Sequence, residues 1–260
     1  NLTELSSIRG LSFLRRVATV LRGKRKNGRA VMRVDGILFD KDGTLFDFAA
    51  TWEAWAKAFL LRVSGGDRVQ AARLGAVIGY DFDTAKFSPS SIVIAGTPGE
   101  IAEALQGVLP EIDPEDLVNI LNEEAENAPQ AEAVPLFPYL TGLRSKGLKL
   151  GVCTNDGEVP ARAHLAVAGV TDLFDFISGF DSGYGAKPAP GPLLAFAKMQ
   201  NLIPNRVAMV GDSLHDLMAG KAAGMQTIGV LTGMATAQDL APHADVVLPD
   251  IGHILAWLEG

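Results

Sequence analysis

The 260 residues include one cysteine, so no disulfide can form within the chain and the fold does not depend on one. Such a chain is expected in the reducing cytoplasm. No apolar run reaches membrane-spanning length, and neither an internal repeat nor a low-complexity tract is visible. Aromatic residues make up 7% of the chain. The four histidines, His164, His215, His243 and His253, show no paired spacing that suits a metal. Apolar residues, by contrast, are 48% against 20% charged, which excludes disorder and supplies core for one large domain or for a domain carrying an inserted second one.

Positive charge is scarce except at one end. Residues 1–33 hold nine Lys/Arg against Glu4, a charge of +8, so residues 34–260 carry the difference between −7 and +8, which is −15. An acidic body of this size argues against nucleic acid as a partner. Within 1–33, Leu2, Leu5, Ile8, Leu11, Leu14, Ala18 and Leu21 recur at helical spacing. A membrane-surface or targeting helix has this composition. The plainer reading, a docked or frayed helix or sequence upstream of a start at Met32, is preferred, because composition alone marks many such segments falsely.

From residue 36 the chain alternates short apolar runs with helical stretches. Gly36–Asp40, Leu148–Asn155, Phe176–Asp181, Arg206–Asp212, Gln226–Thr232 and Ala244–Leu248 are apolar without strict alternation, as strands covered on both faces are. Helical stretches over 136–146, 160–168, 190–200 and 216–223 lie between them, which predicts an α/β doubly wound parallel sheet. Residues 48–135 break the alternation with helix-like runs around 52–63, 67–78, 99–108 and 114–126, Ser91–Ala95 being the one weak strand candidate. An all-helical subdomain inserted after the first strand is expected, with hinges near 47–49 and 135–138.

Polar residues gather where the strands end. In an open parallel sheet those ends face the ligand crevice, so Asp40, in Asp40-Lys41-Asp42-Gly43-Thr44-Leu45, stands where chemistry is expected. Two carboxylates flanking a turn can divide attack from proton transfer, and Gly43 permits the tight reversal. Thr154 and Asn155 end the second strand, Lys187 precedes Pro188 in a Gly/Pro-rich loop, and Gly211-Asp212-Ser213 is followed by Asp216. Each has an ordinary reading: a solvated turn, a turn-forming Thr, a surface Lys, a helix cap at Asp216. Asp212 is harder to dismiss, because it ends an apolar run as an unpaired charge.

Taken in order, Asp40, Asp42, Thr154, Lys187, Asp212 and Asp216 resemble the four motifs of the haloacid dehalogenase-like hydrolase superfamily, from Gly36 to the C-terminus. The branch with a helical cap, the phosphoglycolate-phosphatase-like enzymes, is the most similar. The resemblance implies a Rossmann-like core of residues 34–47 and 136–260, a cap of 48–135, and a Mg²⁺-dependent phosphatase of a small phosphorylated metabolite, phosphoglycolate or a sugar phosphate. It implies that Asp40 attacks phosphorus to give an aspartyl-phosphate and that Asp42 serves as acid and base. Asp40, Asp42 (through its carbonyl) and Asp212 would hold the metal. Thr154, the backbone amide of Asn155 and the turn at Gly43 would bind phosphoryl oxygens. Lys187 would pair with phosphate and Asp40, and Asp216 would orient Lys187 or a water on the metal.

Lys41 departs from the pattern, which usually has an apolar residue there; its side chain adds a positive charge near the cap, where it is at most an electrostatic contributor, and the plainer account is a lysine pointing to solvent. Cys153, next to Thr154, is expected as a small buried group and not a nucleophile. Trp52, Trp55 and Phe59 share a helical face as cap core, with Phe48 or Trp52 placed to close over a substrate. Alternatives of the same fold are a phosphomutase, a dehalogenase (disfavoured by Asp42) and a phosphonatase, for which Lys57 and Lys86 are the cap lysines. A catalytically inactive binding module would have lost one of the six residues, and none is missing.

Overall fold

The computed structural model describes residues 33–259. The basic extension expected over 1–33 lies outside them except for Arg33. Six parallel strands form the central sheet: β1 (Gly36–Phe39), β4 (Lys149–Cys153), β5 (Phe176–Ser178), β6 (Val207–Gly211), β7 (Gln226–Val230) and β8 (Val246–Leu248). Their spatial order is β5-β4-β1-β6-β7-β8. The chain therefore builds outward from β1 on one side and then returns to build on the other, so β1 and β6 flank the point where the winding reverses.

Alternation within the strands explains the two covered faces. Ile37 and Phe39 of β1 join Leu150, Val152, Ala208 and Val210 in one core, under α5 (Leu136–Ser145) and α10 (Ile254–Glu259). Leu38 joins Cys153, Val207 and Met209 in the other, against α7 (Gly191–Met199) and α8 (Leu214–Ala222). Gly151 is required on that second face, where a Cβ would stand 2.7 Å from Leu38 Cδ1 and 2.9 Å from the Phe196 ring. The helix α6 (Glu158–Val167) links β4 to β5, and the one-turn α9 (Ala237–Leu240) links β7 to β8.

Between β1 and α5 lie α1 (Phe48–Val63), α2 (Arg68–Val77), α3 (Pro98–Gln106) and α4 (Pro114–Glu126). Asp47 starts α1 by accepting from Ala50 N, and Thr97 with Glu100 forms a capping box on α3. These helices bury a core of their own, drawn wholly from residues 48–125. Trp55 stacks on Phe59 at 5.4 Å and donates its indole N–H to Leu121 O at 3.1 Å. Each such buried aromatic contributes roughly 1.5–3 kcal/mol. The all-helical expectation needs one addition: Tyr80–Asp81 (β2) pairs antiparallel with Lys86–Phe87 (β3). Two residues per strand is too short to leave an alternating pattern. Ser91–Ala95, the weak strand candidate, instead holds a single 3₁₀ turn, Ile92–Ile94, capped by Ser91.

The segment enters and leaves side by side, with Asp47 N bonding Ala131 O at 2.8 Å and Ala133 N bonding Leu45 O at 2.9 Å. No helix among the described residues is long and apolar enough to cross a membrane.

Candidate active site

The strand ends at the winding reversal bring Asp40 and Asp212 to one place. Asp40 follows β1 and Asp212 follows β6, and Asp40 N bonds Val210 O at 2.8 Å. Asp216, in the first turn of α8, completes a buried trio whose carboxylate oxygens all lie within 4.8 Å of one another. Lys187 reaches in from the loop after β5, its Nζ 2.6 Å from Asp40 Oδ1 and 2.6 Å from Asp216 Oδ1. The other Asp216 oxygen accepts from Ser213 N and Oγ, so this residue is both the helix cap and the anchor of Lys187.

Burial pushes the Asp40 carboxyl up to about 7: Lys187 opposes the rise, and the neighbouring charges of Asp216 and Asp42 add to it. Asp212 is held well above the ordinary carboxylate range by burial and then by Asp40 and Asp216. Lys187 would be lowered by burial, but Asp216 and Asp40 outweigh that and keep it charged. One ammonium therefore does not neutralise three crowded carboxylates. Hard oxygen donors with surplus negative charge fit Mg²⁺, and Asp40 and Asp212 are the residues that would hold it. The Asp42 carboxylate is outside the trio and pairs with Lys41 instead.

The turn that follows Asp42 fits tightly against Asp212. Gly43 has φ +76°, and a Cβ there would stand 2.5 Å from Asp212 Cγ. A Cβ on Gly233 would also overlap the Asp212 carboxylate. Thr232 Oγ1 donates to Gly43 O at 2.5 Å, and Thr44 Oγ1 faces Asp212 Oδ1 at 3.4 Å.

Asp40, Asp42, Thr154, Asn155 and Lys187 all line one cavity between the sheet and the insertion, with room of about 50 Å³ for water-sized molecules. Thr154 Oγ1 accepts from Asp156 N at 3.1 Å. The Asn155 side chain has work beyond that expected of its backbone: Oδ1 accepts from Lys187 N at 2.9 Å, and Nδ2 donates to Lys187 O and to Ala95 O, each at 2.8 Å. It fastens the Lys187 loop and reaches the insertion at once. His215 Nδ1 lies 3.0 Å from the same Ala95 carbonyl.

Lys41 corrects the expectation of a solvent-facing side chain, since it is 0% exposed. Its Nζ lies 2.8 Å from Asp42 Oδ2, 3.2 Å from Asp156 Oδ2 and 2.9 Å from His164 Nδ1. Burial alone would lower Lys41; Asp42 and Asp156 reverse the shift and raise it. Asp156 and His164 had no part in the sequence-based site. An acid directly after Thr154-Asn155 is a signal that was available, whereas nothing in the spacing of His164 marks it. Cys153 is buried as expected, and burial pushes its thiol up to about 12. Phe48, Trp52 and Trp55 line the cavity, Phe59 does not, and the exposed Lys86 pairs with Glu53 at 2.8 Å.

Comparison with known proteins places these features in a group. Residues 34–224 match the model of the haloacid dehalogenase-like hydrolases. The chain is 30% identical over 241 residues to a phosphoglycolate phosphatase of Escherichia coli (strain K12), covering 86% of this chain and 92% of that protein. It is 30% identical over 205 residues to a phosphoglycolate phosphatase of Xylella fastidiosa, covering 78% and 82%. Among solved structures, CbbY from Rhodobacter sphaeroides in complex with phosphate superposes with a TM-score of 0.67 at 19% identity, covering 87% of this chain and 100% of that one. A β-phosphoglucomutase from Clostridium difficile gives 0.59 at 20% identity, covering 86% and 96%.

Proposed function

Because the chain belongs to the haloacid dehalogenase-like hydrolases and is a phosphoric monoester hydrolase of the phosphoglycolate-phosphatase-like branch, we infer that it is a Mg²⁺-dependent phosphatase of a small phosphorylated metabolite acting through an aspartyl-phosphate. The observation that carries this reading is the Lys187 ammonium 2.6 Å from both Asp40 and Asp216, with Asp212 alongside. That arrangement keeps Asp40 in place with one oxygen free to attack. The structural likeness to a phosphomutase, at 20% identity, is a likeness of fold alone.

When bound, Mg²⁺ supplies the positive charge that lets a carboxylate approach a phosphate dianion. Asp40 must be ionised to attack. Its oxygen bonds to phosphorus as the ester P–O bond breaks, and the electron pair leaves with the alcohol oxygen, which takes a proton from Asp42. In the second half Asp42 takes a proton from water, the water oxygen bonds to phosphorus, and the Asp40–phosphorus bond breaks to release phosphate. Thr154, the Asn155 amide, the turn at Gly43 and Lys187 would hold the phosphoryl oxygens. Residues 48–135 would act as a cap over the core formed by 34–47 and 136–260, excluding water during the first transfer.

A panel of phosphate esters assayed with EDTA and then with excess Mg²⁺ tests the reading. Free phosphate released only with Mg²⁺ is the expected result. Isomerised ester without free phosphate would instead indicate mutase activity, and no turnover of any ester would leave a binding module.

A further inference from the structure

The space around the acidic trio is in two parts. The inner cavity, which Asp40 and Lys187 line, has room of about 50 Å³ for water-sized molecules. That is roughly four such groups, enough for a phosphoryl group and little of what it is bonded to. An outer groove with room of about 520 Å³ adjoins it, between Ile92, Ile94 and Gly96 of the insertion and Asp212, Leu214 and Met234 of the core. Ser213 and His215 border both parts. An ester whose phosphoryl group reaches Asp40 therefore carries its alcohol past His215.

His215 has a free ring nitrogen at this passage. Its Nδ1 donates to Ala95 O at 3.0 Å, because a carbonyl can only accept. Asn155 Nδ2 donates to the same carbonyl at 2.8 Å, so the ring is anchored where insertion and core meet. Nε2 has no hydrogen-bond partner among the described residues and, unlike the Trp52 indole N–H, is not closed off from water.

The surroundings of Nε2 suit an anion. Lys187, the one lysine that lines either part, is already engaged by Asp40 and Asp216. Glu100 and Asp239, on the outer groove, turn back on Thr97 and Thr236 as partners in their capping boxes. The amides of Leu214 and His215, first in α8, have no acceptor among the described residues, so the positive end of that helix lies on the same groove. That end favours a carboxylate over the donor of a second hydroxyl.

We propose that His215 is a specificity-determining residue whose Nε2–H binds a carboxylate on the alcohol that leaves. This rests on the phosphatase reading above and deepens it to phosphate esters of small hydroxy acids. Nδ1–H is already given to Ala95 O, so Nε2 donates only from the imidazolium. The ring takes one proton from water as the acid binds, and its bond to Ala95 O is kept.

The test compares 2-phosphoglycolate with its uncharged amide, 2-phosphoglycolamide, on the full chain with Mg²⁺, with p-nitrophenyl phosphate as the control. In wild type a kcat/KM at least about tenfold higher for the acid is expected. Asparagine overlays the Nδ1 side of a histidine and glutamine the Nε2 side. His215→Asn therefore keeps the bond to Ala95 O and loses the carboxylate contact, whereas His215→Gln keeps a donor near the carboxylate. The acid-to-amide ratio should fall to within about twofold of unity in His215→Asn, through a higher KM for the acid, and stay at about three- to fivefold in His215→Gln. A wild-type ratio of one or less overturns the proposal and leaves the phosphatase reading intact. So does an equal loss on both esters in His215→Asn, which would make the residue structural, or the reverse order of the two variants. If wild type does not hydrolyse even the control, the phosphatase reading fails instead. Calorimetric binding of the two esters to wild type then decides the proposal: tighter binding of the acid that is lost in His215→Asn supports it, and equal binding overturns it.

Discussion

Lys41 donates to His164, Nζ to Nδ1 at 2.9 Å, in the buried space between the site and the insertion. An ammonium can only donate, so Nδ1 is the acceptor and the imidazole proton sits on Nε2, which donates to Ala125 O at 2.6 Å. The chain of contacts runs from Asp42 through Lys41 and His164 to the last turn of α4. Removing the ammonium strands Asp156, whose side chain is 3% exposed, and frees Asp42. Lys41→Met is expected to lower unfolding free energy by about 3–5 kcal/mol in urea titration, the usual cost of breaking a buried ion pair from one side. A loss below about 1 kcal/mol would mean that water already solvates this cluster.

His164 gives that network a pH dependence. Burial, and then the charge of Lys41, lowers the imidazole to about 4 from an ordinary value of 6.5. The unfolded chain then takes up this proton first, so the contribution of His164 is complete above about pH 6.5 and is lost as pH falls toward 4. A shift of this size corresponds to about 3 kcal/mol. Asp40 and Asp212 are raised and titrate in the opposite sense, so the comparison must be with His164→Gln, in which they are unchanged. Between pH 7 and 4 the wild-type stability should fall by about 3 kcal/mol more than that of the variant. Parallel curves would show that the imidazole is not held neutral.

These two residues also mark where sequence reading stopped. Asp40, Thr154 and Asp212 were legible because apolar runs ended in polar residues, and strand ends in a parallel sheet converge at one crevice. Asp216 and Lys187 gained meaning from that frame. Lys41 read as a surface charge, because its burial depends on Asp156 and His164, the latter 123 residues away. The hairpin at Tyr80 and Phe87 left no periodic trace, and the Ala95 carbonyl that receives Asn155 has no side-chain signature at all. Tertiary partners of this kind are invisible to local pattern.

The surplus negative charge at the trio separates stability from function at Asp212. Its carboxyl is raised by burial, then by Asp40 and Asp216, so without a cation its ionised form weakens the fold at neutral pH, an effect absent below the ordinary carboxylate range. Asp212→Asn removes that charge without changing shape. In EDTA at pH 7.5 the variant should melt about 2–4 °C above wild type, roughly 1 kcal/mol for a chain of this length. Added Mg²⁺ should raise the melting temperature of wild type and not of the variant. The same Mg²⁺ response in both proteins would place the cation elsewhere.

Asn155 is the residue through which the core grips both the Lys187 loop and the insertion. Its amide satisfies the backbone N–H and C=O of Lys187, a residue only 5% exposed, and its second amide hydrogen goes to Ala95 O. Asn155→Ala leaves these groups without partners, and each buried one costs about 1–3 kcal/mol. A total loss of roughly 2–5 kcal/mol in urea is expected, together with a fall in kcat, because the Lys187 ammonium then loses its fixed approach to Asp40. Asn155→Asp keeps the acceptor for Lys187 N but loses both donations and places another carboxylate beside Asp156. Its kcat should therefore fall as well, and at neutral pH its stability loss should be at least that of the alanine variant, because the new carboxylate faces two carbonyl oxygens. If Asn155→Ala kept wild-type kcat and lost less than about 1 kcal/mol, the Lys187 loop would have to be held by its own turn and not by this amide.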